Sequence, residues 1–136
     1  MEITMLLVTS IIASALTIIF IKLSFAVISL RRQNKISLGS GGNDELERAI
    51  RAQGNFSEYV PIALILIGCL EINGAPWWLV ALSGVSLIIG RLLHAIGISE
   101  RQPSFKKRVL GMKFTFNTLI LLIVMNVGWT IFRFVF

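Results

Sequence analysis

The sequence predicts an all-α fold, an integral membrane bundle of four helices forming a single domain over residues 1–136. Of the 136 residues, 55% are hydrophobic and 15% are charged, where an ordinary soluble domain carries about 25% charged residues. The charges gather in two clusters between long apolar runs, and mean hydropathy is +0.81. A helix needs roughly 20 apolar residues to cross the hydrocarbon core, so four spans with short connections use nearly the whole sequence.

The first helix is expected over residues 3–30, from Ile3 to the pair Arg31 and Arg32. It carries Glu2 where a signal peptide has a positive n-region. No convincing small-residue cleavage site precedes Lys22, so the segment reads as a retained span. Lys22 is long enough to snorkel toward the headgroups. A polar loop from Gln33 to Asn43 follows, with Gly39-Ser40-Gly41-Gly42 resisting regular structure.

The second helix is expected over residues 44–72. Asn43 or Asp44 caps it, and Glu45 and Glu47 complement the helix dipole in its first turn. Its apolar part, Tyr59 to Leu70, is too short to span alone, so the polar stretch from Glu45 to Glu58 must share the crossing. Asn73-Gly74 and Pro76 break the chain before a third helix over residues 77–98, which Trp77 and Trp78 open as interface aromatics. A basic connection from Arg101 to Lys113 leads into the fourth helix. That helix is expected over residues 108–135, with its apolar part from Phe114 to Phe132.

Lys and Arg set the orientation. Arg31, Arg32, Lys35, Arg48 and Arg51 surround the first loop, and Arg101, Lys106, Lys107, Arg108 and Lys113 fill the third connection. The second turn has none, so both basic loops are expected in the cytoplasm and both termini on the opposite side. The same distribution explains the net charge of +6 without nucleic acid as a partner. Cys69 is the one cysteine and His94 the one histidine, so neither an intramolecular disulfide nor a dedicated metal site is expected.

The chemistry concentrates in the second helix. At 100° per residue, Arg48, Arg51, Asn55 and Glu58 fall within an arc of about 80°, and Asp44 lies on the same stripe. Each Arg or Asp near the centre of a span costs about 2.5–3.5 kcal/mol on insertion scales. One account is interhelical glue, with Glu58 pairing Arg91 and Asn55 bonding a neighbouring backbone. The other is a polar ligand. Guanidinium groups grip carboxylates, an amide recognises a peptide bond and a carboxylate holds an ammonium, a set suited to a small zwitterionic peptide. Asn117 and Asn126 are expected to make hydrogen bonds between helices.

The run Arg51-Ala52-Gln53-x-Asn55-x-Ser57-Glu58-Tyr59-x-Pro61, with Glu45-x-Glu47-Arg48 before it, resembles the second-helix motif of the membrane-associated proteins in eicosanoid and glutathione metabolism (the MAPEG family). These include leukotriene C synthase and the microsomal glutathione transferases. Val27-Ile28-Ser29-x-Arg31-Arg32 ends the first helix in the same style. Arg91-Leu92-Leu93-His94 resembles the third-helix motif of microsomal prostaglandin E synthase. The resemblance implies a homotrimer that binds glutathione between subunits as cosubstrate. It assigns glutathione contacts to Arg31, Arg51, Gln53, Asn55, Glu58, Tyr59 and His94.

The same resemblance puts a thiol-activating Arg in the third connection. Arg108 is the choice, with Lys106 and Arg101 as alternatives and Arg32 as a second catalytic candidate. A second Tyr of the family pattern is replaced by Ile98. The implied activity is a glutathione transferase or peroxidase-like reaction on a lipophilic electrophile arriving among membrane lipids. Two rivals stand beside it: a non-catalytic lipid- or glutathione-binding protein of the same family, and a small four-helix exporter. The exporter pattern expects an acidic residue inside the first helix, and none is there.

Overall fold

A computed structural model describes residues 6–135. It contains α1 (Leu7–Asn34), α2 (Asp44–Ile72), α3 (Trp77–Ser99) and α4 (Phe105–Val135). All four are long and apolar enough to cross a membrane. The expected start of the first helix at Ile3, like Glu2, lies outside the described residues.

Two boundaries differ from the sequence reading. Helix α1 continues past Arg31 and Arg32 to Asn34, because paired charges mark where a chain leaves the bilayer and do not by themselves unwind a helix. It stops where Lys35 turns left-handed (φ 53°) and Ile36 N–H bonds the Arg31 carbonyl. Helix α4 begins at Phe105, three residues before the expected 108. Ser104 after Pro103 caps it, its hydroxyl accepting from Lys107 N–H at 3.3 Å. Arg108 therefore sits on a helix with a defined facing. At the start of α2, Asn43 is the cap and accepts from Leu46 N–H at 2.9 Å.

Helices α2 and α3 form the centre. Each packs on the other, on α1 and on α4, whereas α1 and α4 do not meet. Leu16 of α1, Phe56, Ala63, Ile67 and Leu70 of α2, Val80 and Leu87 of α3 and Leu122 of α4 form one buried cluster. Lipid tails are as apolar as these side chains, so close packing and hydrogen bonds between helices have to supply cohesion. Several such bonds are present. Ser86 and Thr118 join α3 to α4 at 2.7 Å, and Asn126 donates to the Leu66 carbonyl of α2 at 3.0 Å. Trp129 and Arg133 both donate to the Asn73 carbonyl at 2.9 Å. Asn117, expected to do likewise, makes no hydrogen bond among the described residues. It lies one position, about 100°, round the helix from the buried Thr118 that bonds α3.

Glu71, in the last turn of α2, has partners that its local sequence does not announce. Its carboxylate accepts from the backbone N–H groups of Val8 and Thr9, each at 2.8 Å, and from the Thr9 hydroxyl. Helix α1 has no side-chain cap of its own, and a carboxylate more than sixty residues away satisfies its orphan donors.

Helices α3 and α4 approach closely at Gly90 and Gly111. A Cβ on Gly111 would lie 2.6 Å from the Gly90 carbonyl oxygen and 2.6 Å from the His94 nitrogen, both backbone atoms. Gly111→Ala must therefore push the two helices apart. It is expected to cost on the order of 1–3 kcal/mol and to lower the melting temperature in detergent. Gly128→Ala, with nothing within 4 Å of the new Cβ, is the neutral control. An unchanged melting temperature for Gly111→Ala would contradict the packing.

Candidate functional site

Helix α2 presents two chemically different faces. Phe56 stacks on Phe20 of α1 with centroids 6.2 Å apart. On the other side, Asn55 meets Arg91 of α3, and Tyr59 lies edge-on to Phe116 of α4 at 5.5 Å. The polar stripe of Arg51, Asn55 and Glu58 thus turns away from α1 and toward α3 and α4. Arg51 and Glu58 are exposed on the subunit surface, and Asn55 and Tyr59 are part-buried. Glu58 is the middle residue of α2, about 20 Å along the helix from either end at 1.5 Å per residue.

The floor of this face is Arg91, which is 0% exposed. One guanidinium nitrogen donates to Asn55 Oδ1. Another reaches Thr115 Oγ1 at 3.3 Å and Met112 Sδ at 3.8 Å, and the guanidinium carbon sits 5.5 Å from the Tyr59 ring centroid. The pairing of Glu58 with Arg91 entertained from the sequence does not form. The one ion pair among the described residues joins Lys107 to Glu100 at the start of α4. The reason is angular, because Asn55 points at α3 and Glu58, about 60° further round α2, points past it.

Helices α2 and α4 run parallel, as the pairs Tyr59–Phe116, Leu66–Asn126 and Asn73–Trp129 show. Extending that register inward places Arg108 at the level of Arg51. Arg108 lines a groove of about 350 Å³ with His94, Met112 and Phe116, within the range of roughly 300–1,000 Å³ usual for small-molecule sites. His94 is 5% exposed, and neither its Nδ1 nor the buried Arg108 Nε has a hydrogen-bond partner among the described residues. Lys106 lines a neighbouring groove, and Arg101 lies in the turn before α4. Ile98 is buried at 8% exposure and has no polar group to offer.

The remaining expected site residues lie elsewhere. Gln53 is about 160° round α2 from Asn55, on the side that packs toward α1. Arg31 and Arg32, in the last turn of α1, line a separate groove with Ile36, and Arg31 donates to the Gly39 carbonyl at 2.8 Å. One subunit therefore divides the set in two. Arg51, Asn55, Glu58, Tyr59, His94 and Arg108 lie on the α3/α4 side, and Gln53, Arg31 and Arg32 on the α1 side. Sequence reasoning missed Arg91 as part of this site. Its signal was a lone Arg in mid-span, a costly placement that calls for partners.

Comparison with known proteins is consistent with this architecture. The MAPEG family model matches residues 9–128. The chain belongs to the MAPEG family. Inner membrane protein YecN of Escherichia coli (strain K12) is 38% identical over 130 residues, covering 96% of this chain and 98% of that protein. YecN of Escherichia coli O6:H1 (strain CFT073) matches to the same extent. Four candidate spans and this similarity to an inner membrane protein make the MAPEG chain a multi-pass integral membrane protein.

Proposed function

We propose that this MAPEG protein is a glutathione-dependent membrane enzyme, a transferase with peroxidase-like capacity, working as a homotrimer with both basic loops in the cytoplasm. The observation that carries the reading is Glu58 at the middle of α2 and Arg51 two turns nearer its start, on one face with Asn55 and in no ion pair among the described residues. A charge as deep as Glu58 is costly unless covered, and glutathione supplies the complement: carboxylates for Arg51, an ammonium for Glu58 and peptide groups for Asn55. The division of the site into two faces supports assembly. Head-to-tail contacts that close into a ring would set the α1 side of one subunit, with Gln53 and Arg31, against the Arg51–Glu58 side of the next.

In the proposed reaction, Arg108 stabilises the glutathione thiolate. The sulfur gives its electron pair to an electrophilic carbon of the lipophile, forming a C–S bond while the leaving group departs with its pair. With a hydroperoxide, two glutathiones reduce the O–O bond to an alcohol and water and leave as the disulfide. An apolar crevice of about 210 Å³ between α1 and α2, lined by Leu16, Phe20, Pro61 and Leu64, offers the lipophile a place on the α1 side.

Native mass measurement in detergent should give three subunits, and calorimetry should show glutathione binding to that species. A clean monomer that still binds glutathione would remove the intersubunit site. A trimer indifferent to glutathione would remove the enzyme reading. The replacement of the second family Tyr by buried Ile98 favours a second reading, a protein that binds glutathione without activating it.

A further inference from the structure

We infer that Arg91 is a positioning residue that fixes the polarity of the Asn55 amide, so that Asn55 reads a hydrogen-bond acceptor, a carbonyl or carboxylate oxygen, on the bound ligand. A guanidinium has five N–H donors and no acceptor. The amide atom facing it must therefore be the oxygen, and turning the amide over would set N–H against N–H. The assignment follows from the chemistry of the pair. Arg91 is itself held. The Thr115 hydroxyl donates to the Gly111 carbonyl at 2.9 Å, which leaves its lone pairs for Arg91, while the guanidinium lies over the Tyr59 ring. No carboxylate lies within ion-pair distance of Arg91 among the described residues. Nothing competes with Asn55 Oδ1 for the donor that faces it.

The consequence falls on the other end of the amide. Asn55 Nδ2 carries two donors, has no partner among the described residues, and belongs to the same α2 stripe as exposed Arg51 and Glu58. A ligand on that face meets N–H groups at Asn55 and must offer oxygen there. The inference rests on the glutathione reading for the identity of the ligand, and it adds which way round the amide is used. A small ligand that presented a donor at this point would leave buried donors opposed, a mismatch that discriminates strongly.

A carboxylate at position 55 separates the roles. It meets Arg91 at least as well as the amide oxygen does, with an ion pair in place of a neutral acceptor, but it has no proton to give. Asn55→Asp is expected to keep or raise the melting temperature of the ligand-free protein while weakening glutathione binding at least about tenfold. Arg91 is tested by polarity in the same way. Arg91→Lys keeps a donor-only group facing Asn55 and is expected to retain more binding than Arg91→Gln, which accepts as readily as it donates.

Calorimetric titration of glutathione into the detergent-purified wild type and these three variants, with melting temperatures alongside, decides the matter. If Asn55→Asp binds like wild type, Asn55 gives no donor and the inference falls while the glutathione reading stands. A parallel loss of melting temperature and binding in Asn55→Asp would show that Arg91 does not face an acceptor at position 55. Equal binding by Arg91→Lys and Arg91→Gln would remove the positioning role. If wild type takes up no glutathione, the reading itself fails and the inference goes with it.

Discussion

Arg51→Ala and Glu58→Ala are each expected to weaken glutathione binding by about 2–5 kcal/mol, the cost of truncating one partner of a buried charge pair. This is roughly thirty- to several-thousand-fold in Kd. The upper range requires that a neighbouring subunit and the ligand cover the two charges, because both side chains are exposed on the isolated subunit. Exposed charge pairs are worth only about 0–1 kcal/mol, so a loss of that size would mean that no enclosure forms. The same variants separate a binding site from interhelical glue. Neither Arg51 nor Glu58 makes a hydrogen bond or ion pair within the described residues of the subunit, so the ligand-free melting temperature should hardly move. Thermal stability lost in step with binding would show that the charges hold the assembly together. Gln53→Ala, on the opposite face of α2, provides the check on assembly. If the proposed trimer forms, it should weaken binding although it shares no face with Arg51.

How much of this was legible in the sequence depends on how local each cause is. The cap of α2, narrowed by the sequence to Asn43 or Asp44, the turn at Asn73-Gly74 and the exposed Trp77 and Trp78 at the head of α3 depend on residues within a few positions of one another, and the sequence carried them to that extent. The stripe on α2 was likewise readable, because helical geometry fixes the angle between Arg51, Asn55 and Glu58 before any packing occurs. Partners across helices were not. Opposite charge makes Glu58 a natural partner for Arg91 on paper, as the interhelical-glue account has it. The crossing of α2 and α3 instead brings Asn55 opposite it, and a crossing angle is not written in either helix alone. Glu71 capping α1 was hidden for the same reason, with more than sixty residues between carboxylate and amides. The separation of Gln53 from Asn55 followed from angle alone. Its consequence, a site divided between two faces, became visible only when α1 was seen to cover one face of α2 and α3 and α4 the other.

Bound glutathione is expected to show the ultraviolet absorbance of a thiolate at neutral pH, with Arg108 as its cause. A free thiol near pKa 8.5 is only a few per cent ionised there, and lowering it below 7 raises the nucleophile population severalfold. A shift of one unit requires about 1.4 kcal/mol of preference for the anion, well within what one partly desolvated cation supplies. Arg108 lies level with Arg51 along the parallel α2 and α4 and lines the groove that also holds His94. Its buried Nε has no acceptor among the described residues. Arg108→Ala should therefore abolish the thiolate signal and leave glutathione affinity largely intact, since most of the proposed contacts to the peptide, Arg51, Asn55 and Glu58 among them, belong to α2. Arg108→Lys should restore part of the signal, because a point charge stabilises a thiolate without the bidentate fork. A thiolate signal that persists in Arg108→Ala would move the role to Lys106, Arg101 or Arg32, each then tested by the same spectrum. Wild-type protein that binds glutathione with an unshifted thiol would mean that the buried Ile98, in place of a hydroxyl, marks a site that holds the tripeptide and does not activate it. The non-catalytic account would then replace the enzyme.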